Sequence, residues 1–254
     1  MKIAVLVKQV PGGDSQLRIN DNQNWVNEEN VTFITNESDN YAIEEALQII
    51  EKLGYGEVVA VSLGPERVKR TIREALSKGV DRGIHIDESY PYSSDPLEIA
   101  KIIAAVIKEE KFDLILSGLQ SDDSGFGQVG VLIGEILGMT TATLVMETEL
   151  TDENLRVKRE LESGWFQWVT LTLPASITVQ SGINNLRYPS LKGIMGAKKK
   201  EIKSILIDKK QRPNQSILRI SQPQKSKKTK MIDGSVDQQV LHLVDILKKE
   251  LKLL

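Results

Sequence analysis

At 254 residues, with 40% hydrophobic and 27% charged side chains, the chain can build one sizeable globular core plus an appendage. A net charge of −2 argues against a general nucleic-acid binder, and zero cysteines exclude disulfides, thiolate metal sites and a cysteine nucleophile. Two histidines, His85 and His242, are too few for a histidine-rich metal site, and no apolar run approaches the ~20 residues of a membrane span.

The chain opens on a strand, Ile3 to Val7, with no signal or transit segment in front of it, which predicts a cytoplasmic protein. Pro11, Gly12 and Gly13 then force a turn. Gln16 to Thr35 is polar with scattered apolar residues and reads as a hairpin lying over the main sheet. Asn36 to Asp39 offers N-cap residues for a helix whose stripe is Ala42, Ile43, Ala46, Leu47 and Ile50. A buried strand follows at Glu57 to Leu63, a helix from Pro65 to Ser77, and a third strand from Gly83 to Asp87. Ser94 or Asp95 caps the next helix, which carries Ile99, Ile102, Ile103, Val106 and Ile107.

Phe112 to Gly138 organises the rest. Leu114, Ile115 and Leu116 read as a buried parallel strand, Gly118 to Gly127 as a loop, and Val129, Leu132, Ile133, Ile136 and Leu137 as an amphipathic helix. A glycine-rich passage from strand to helix start aims backbone N–H groups at one spot, where an anion is stabilised. The same pattern also fits an ordinary turn with a capped helix. Neither a P-loop nor a G-x-G-x-x-G fingerprint is present. Alternating strands and helices predict a parallel, doubly wound sheet whose ligands sit beyond the carboxyl ends of the strands, where Lys8 to Gly12, Leu63-Gly64, Asn36 to Asp39 and Gly118 to Gly130 share a face.

After Thr140 the chain turns β-rich. Thr141 to Leu150, Leu155 to Leu161, Trp165 to Leu173 and Ser176 to Val179 read as antiparallel strands extending one sheet edge, joined at Asp152-Glu153-Asn154 and Glu162-Ser163-Gly164. Leu186 to Lys200 has the period of neither helix nor strand; Ile194 and Met195 read as tucked under the domain, and Leu191, between turn formers, as facing solvent. Asp208 to Asp233 is a polar arm with a solvated lysine cluster, Lys225, Lys227, Lys228 and Lys230. A last amphipathic helix spans Ser235 to Leu253, striped by Val236, Val240, Leu243, Leu247 and Leu251. The fold class is therefore α/β, with a β extension and a C-terminal arm ending in a helix. The expected division is 1–205, including the segment 187–200, and 206–254.

These stretches together resemble the beta subunit of an electron transfer flavoprotein over nearly the full length. The resemblance is carried by the opening K-I-A-V-L-V-K-Q-V-P, by Asn36-x-x-Asp39-x-x-Ala42-Ile43-Glu44-Glu45-Ala46, by Asp81-Arg82-Gly83-Ile84-His85, by Gly118-x-Gln120-x-x-Asp123 with Gln128-Val129-Gly130, and by Arg187-Tyr188-Pro189-Ser190-Leu191-x-x-Ile194-Met195-x-Ala197-Lys198-Lys199-Lys200. The resemblance implies an adenine-nucleotide-binding domain with no catalytic residue and no metal of its own, paired with an alpha subunit that holds most of the FAD. It implies AMP in this subunit, or a second FAD in electron-bifurcating members that use NADH. It also implies electron passage from dehydrogenases of the acyl-CoA type, as in fatty acid beta-oxidation, to a quinone oxidoreductase at the membrane, without membrane insertion.

Carried over by position, the resemblance puts cofactor contacts on Leu6, Asn36, Glu37, Ser38, Asp39 and Leu63. It puts further ones on Gly118, Leu119, Gln120, Ser121, Asp122, Asp123, Ser124, Gly127, Gln128, Val129 and Gly130. A dehydrogenase-recognition segment falls on Arg187, Tyr188, Leu191, Ile194, Met195, Lys198, Lys199 and Lys200, with Leu191 as anchor, and the C-terminal arm and helix would wrap the alpha subunit. Ser124-Gly125-Phe126 follows Asp123 where many relatives carry a second carboxylate, which leaves AMP and FAD both open. Two rival readings are an ATP-using adenylating enzyme, with Asp122 and Asp123 as metal ligands, and a nucleotide-sensing domain of the universal-stress type. Against the first, Gly118 to Gly130 contains no Lys, Arg or His; against the second stand the β-rich insertion and the long arm.

Overall fold

The computed structural model describes residues 1–88, 95–151, 154–207, 213–223, 229, 231–250 and 252–253. The expected cap Ser94, the turn residues Asp152 and Glu153, the lysines 225, 227, 228 and 230, and Leu251 lie outside the described residues. The chain divides into two compact units, Met1–Arg219 and Ile220–Leu254.

The first unit begins with β1 (Lys2–Leu6) and four short strands, β2 (Gln9–Pro11), β3 (Arg18–Ile19), β4 (Val26–Asn27) and β5 (Phe33–Thr35). The expected single hairpin is two small ladders, β3 with β4 and β2 with β5. Then come α1 (Glu37–Leu53), β6 (Glu57–Gly64), α2 (Lys69–Lys78), β7 (Arg82–Asp87), α3 (Pro96–Ile107), β8 (Leu114–Gly118) and α4 (Val129–Ile136). A 3-10 turn, Glu66–Val68, takes the first part of the helix expected from Pro65. After α4 follow β9 (Thr140–Leu150), β10 (Asn154–Glu160), β11 (Phe166–Thr172), β12 (Ala175–Val179), α5 (Leu191–Ala197) and β13 (Ile202–Leu206).

Nine strands form one sheet in the order β11-β10-β9-β12-β8-β1-β6-β7-β13. From β9 to β13 every neighbour pair is parallel, and β10 and β11 add an antiparallel ribbon at one edge. Residues alternate between two cores, as a strand buried on both faces requires. Ile3, Val5 and Val7 enter the core shared with α1 and α2, while Ala4 and Leu6 enter the core shared with α3. The doubly wound parallel sheet expected from the alternation of elements is the observed one.

Other local expectations fail. Ser176 to Val179 is not an antiparallel edge strand: β12 runs parallel between β8 and β9, and all five of its residues are buried. Its polar residues have a packing reason. Gly130 and Gly134 press α4 onto this strand, so that a Cβ at Gly134 would lie 2.8 Å from Ser176 Cβ, and Ser176 Oγ donates to Gly130 O at 3.0 Å. Only small residues fit there, and their hydroxyls gave the segment the look of an edge strand.

The segment from Leu186 to Lys200 contains a helix, α5, capped by Ser190, whose Oγ accepts from Gly193 N–H at 3.0 Å. Gly193 sits where a Cβ would strike the Ser77 carbonyl of α2, so the glycine that hides the helical period is the one that lets the two helices touch. β13, whose Ile202 and Ile205 pack against opposite cores while its other residues are exposed, adds an unanticipated parallel edge strand.

The second unit contains α6 (Val236–Asp245), opened by a reciprocal capping box between Ser235 and Gln238. A π-helical turn, Ile246–Glu250, replaces the last turns of the helix expected to Leu253.

Gly134→Ala is expected to destabilise the fold by about 1–3 kcal/mol, as overpacking does. The measurement is a lower urea midpoint at unchanged slope; an unaltered midpoint would mean that α4 lifts off the sheet freely.

Candidate functional site

The carboxyl ends of β1 and β8 and the N-terminus of α1 meet on one buried carboxylate. Asp39 Oδ2 accepts from Lys8 N–H at 2.8 Å and Oδ1 accepts from Gly118 N–H at 3.0 Å. Glycine is required at position 118, because a Cβ would lie 2.5 Å from Asp39 Oδ1 and closer still to Ser38 Oγ. Burial pushes the Asp39 carboxyl up to about 6, against the lowering effect of hydrogen bonds from Lys8, Asn36 and Gly118.

Asn36 is the N-cap residue of α1, yet its side chain does not cap the helix. Instead Nδ2 donates to Gln120 O at 3.0 Å and Oδ1 accepts from Asp122 N–H at 2.9 Å. Ser38 Oγ donates to the same Gln120 carbonyl at 2.8 Å. The orphan N–H of Glu37 is taken by Asp122 Oδ2, at 3.2 Å, so the loop returns a carboxylate to the positive end of α1. Asn36, Ser38 and Asp39 therefore hold the loop in place, with their polar atoms spent on it.

Further along, Lys8 Nζ lies 2.6 Å from Asp123 Oδ1 and 3.1 Å from the hydroxyls of Ser121 and Ser124. Burial would raise the Asp123 carboxyl, but the charge and hydrogen bond of Lys8, with those of Ser121 and Ser124, leave it below the usual carboxylate range. Gly125 and Gly127 both take φ of +63°, a left-handed conformation that glycine adopts without strain, and bring the chain to α4. α4 differs from α1: Gln128 makes no side-chain cap and the first turn holds no acidic residue. Its leading turn thus has no charged partner of its own, and the buried, unpartnered hydroxyl of Ser117 lies against Gly130 in that turn. Leu6 and Leu63, on the α3 face of the sheet, belong to the same apolar cluster as Val129 at the start of α4. That combination suits an anion joined to a flat apolar group.

A second constellation lies on the α2 side. Tyr188 is 93% exposed, Leu191 82% and Met195 71%. Leu191 and Met195, four apart, share one face of α5, and Tyr188, just ahead of the Ser190 cap, adds a third exposed apolar side chain to this ridge. Met195 is thus not tucked under the domain as expected, and Ile194, 44% exposed, is only partly so; Ala197 is the buried residue of α5. The base beneath the ridge is fixed. Arg187 pairs with Glu44 at 2.7 Å and Glu51 at 2.6 Å on α1. Arg73 donates to the carbonyls of Ala197 and Lys200 at the end of α5, and Lys200 Nζ to those of Leu76, Gly79 and Val80 at the end of α2. Arg187 and Lys200 are engaged within the chain, whereas Lys198 and Lys199 are exposed.

The family model described as electron transfer flavoprotein domain matches residues 23–209. The chain is 33% identical to the electron transfer flavoprotein subunit beta of Methylophilus methylotrophus, with 98% of each covered. It is 31% identical to that of Bacillus subtilis, with 100% of each covered, and 35% identical to that of Homo sapiens, with 81% of each covered. The chain belongs to the electron transfer flavoprotein beta-subunit family.

As a family member it is an electron-transfer subunit, and a beta subunit implies an alpha subunit. No helix among the described residues is long and apolar enough to cross a membrane. Around the loop the sequence reading brought together Leu6, Asn36 to Asp39, Leu63 and Gly118 to Gly130. It placed Lys8 on the same face but missed its pairing with Asp123, and it missed Arg73 as the clamp on α5. The signal for that pairing was its place two residues past the end of β1, where a side chain reaches the neighbouring loops.

Asp39 also makes a testable pH signature. The folded chain keeps this proton to about pH 6, whereas an ordinary aspartate releases it near 3.8. Its contribution to stability is full below the lower value, is lost as pH rises through the higher one, and is constant above it. Relative to Asp39→Asn, which cannot titrate, the wild-type unfolding free energy should fall by about 3 kcal/mol across that window. A flat difference would show that Asp39 titrates normally.

Proposed function

We propose that the chain binds an adenylate, AMP, at the loop between β8 and α4 and pairs with an alpha subunit that carries the FAD. The observation behind this reading is the helix start at Val129, left without cap or acid while Asp122 fills the equivalent place on α1. Backbone N–H groups of Gln128 to Gly130 would receive the phosphate, Leu6 and Leu63 would flank the adenine, and Gln128 and Ser124 are placed for ribose or phosphate oxygens. In this reading Asn36, Ser38 and Asp39 act on the loop rather than on the nucleotide. The FAD supplies the redox chemistry; this subunit's residues bind, position and dock.

The ridge of Tyr188, Leu191 and Met195 is the proposed contact for a dehydrogenase of the acyl-CoA type, with Leu191 as its tip. Electrons would then pass on to a quinone oxidoreductase, and the C-terminal arm and α6 would wrap the alpha subunit. Burying one leucine contributes roughly 1.5–3 kcal/mol, enough to select a partner without holding it. Complexes that must separate after each transfer need no more than that. An ATP-using enzyme is less well supported, since Lys8, the cation that reaches the loop, is committed to Asp123.

The nucleotide content and absorbance spectrum of the heterodimer, purified with its alpha subunit, test the first part. One flavin and one AMP per dimer are expected. Two flavins would replace AMP by a second FAD and open a bifurcating route from NADH, and neither nucleotide in this subunit would end the reading. For the second part, Leu191→Ala should leave the heterodimer and its nucleotide intact while slowing reduction by the dehydrogenase about tenfold. Unchanged reduction kinetics would remove the ridge from the electron path.

A further inference from the structure

Lys8 is joined both to the support of the loop and to the loop itself. Its N–H goes to Asp39 at 2.8 Å, its carbonyl accepts from Asn36 N–H at 2.9 Å, and its ammonium spans Ser121, Asp123 and Ser124. The tethers before it act on the first half of the loop. Gly118, Leu119, Gln120 and Asp122 are bound by Asp39, the Val179 carbonyl, Asn36 and Ser38, and the start of α1. Among the described residues no side-chain hydrogen bond or ion pair ties Phe126 or Gln128 to the chain, and the two left-handed glycines flank Phe126. Lys8, through Asp123 and Ser124, is thus the last side chain from outside the loop to hold it before α4; beyond lies only the loop's own Gly125 N–H to Ser121 carbonyl bond.

We propose that Lys8 is a positioning residue that latches the second half of the loop through Asp123, and that breaking this pair opens the adenylate site. The inference rests on the adenylate reading above for what passes through the opening, but not for the latch itself. The pair has the right strength for a latch. Asp123 exposes only 10% of its side chain and Lys8 40%, so one partner is held and the other can leave into water. A half-exposed pair of this kind is worth about 1 kcal/mol, a factor of about five, and is weakened by salt. Asp123 is also held from the other side, by Ser124 N–H at 2.6 Å, so that losing Lys8 frees the loop without unfolding it.

Two measurements on the heterodimer test this. In the nucleotide-stripped complex, hydrogen exchange of amides 121–128 should speed about fivefold in Lys8→Met and in Asp123→Asn. It should speed no further in the double variant and should stay near wild type in Lys8→Arg. With fluorescent methylanthraniloyl-AMP chased by AMP, the same variants should release the probe about fivefold faster. Added sodium chloride should speed release in wild type but not in the double variant. Wild-type exchange in both single variants would overturn the latch. So would additive effects, or Lys8→Met weakening the probe while Asp123→Asn tightens it, because either result would make Lys8 a direct phosphate ligand. If the variants loosen the loop but no complex binds the probe, the adenylate reading falls, and with it the gating role of the latch.

Discussion

The structure depends on a carboxylate placed where water cannot reach it. Asp39 ties the last N–H of the β1 exit to the last N–H of β8 across the first turn of α1. Strands of a parallel sheet end with N–H groups that the ladder no longer satisfies, and burying such groups unpaired is costly. A single side chain that accepts from two neighbouring strands solves both at once and sets the distance between them. The burden is borne by Asp39, whose proton is held to about pH 6 because charge in that place is poorly solvated. Everything on the carboxyl-end face, including the loop to α4, takes its position from that point.

The distribution of charge above it follows one logic. The loop carries two carboxylates, and each is matched within the chain: Asp122 to the N-terminus of α1, Asp123 to the ammonium of Lys8. A loop bearing uncompensated acids would repel a phosphate. With both acids matched, the remaining uncompensated charge is the positive end of α4, so the field at the site favours an anion although residues 118–130 contain no basic side chain. Because the matching is internal, the loop is ordered before any ligand arrives, which lowers the entropic cost of binding.

Much of this was legible in the chain itself. The alternation of apolar runs and helical stripes determined the parallel sheet, and the passage from Leu116 through glycines to Val129 located the loop, because strand ends and helix starts are local properties. What was not legible depended on contacts between distant segments. Ser176 and Thr178 suggest an exposed edge until α4 is laid on them with Gly130 and Gly134 facing down. Gly193 breaks the helical pattern of α5 for the sake of the Ser77 carbonyl on α2. Lys8 looks like an ordinary residue after a strand, and only the fold brings Asp123, 115 positions away, within 2.6 Å of it. Asn36 offered itself as a cap, but the cap of α1 comes from Asp122, and no local rule would have exchanged them.

The two exposed constellations are built on opposite principles, and the difference bears on function. At the loop the chain leaves polar backbone groups unfilled, a demand that a tightly held ligand meets. At α5 it leaves apolar surface uncovered on a base fixed by Arg73, Arg187 and Lys200. Association of two proteins costs an estimated 4–15 kcal/mol before any contact is counted. A ridge of three side chains, each giving roughly 1.5–3 kcal/mol on burial, does little more than offset that cost. Rigidity then matters more than area: a backbone already held in shape leaves only side-chain freedom to be lost on meeting a partner, so a small contact can still be specific. A ligand site that retains and a docking ridge that releases are what a subunit needs if one group must stay with it while redox partners are exchanged.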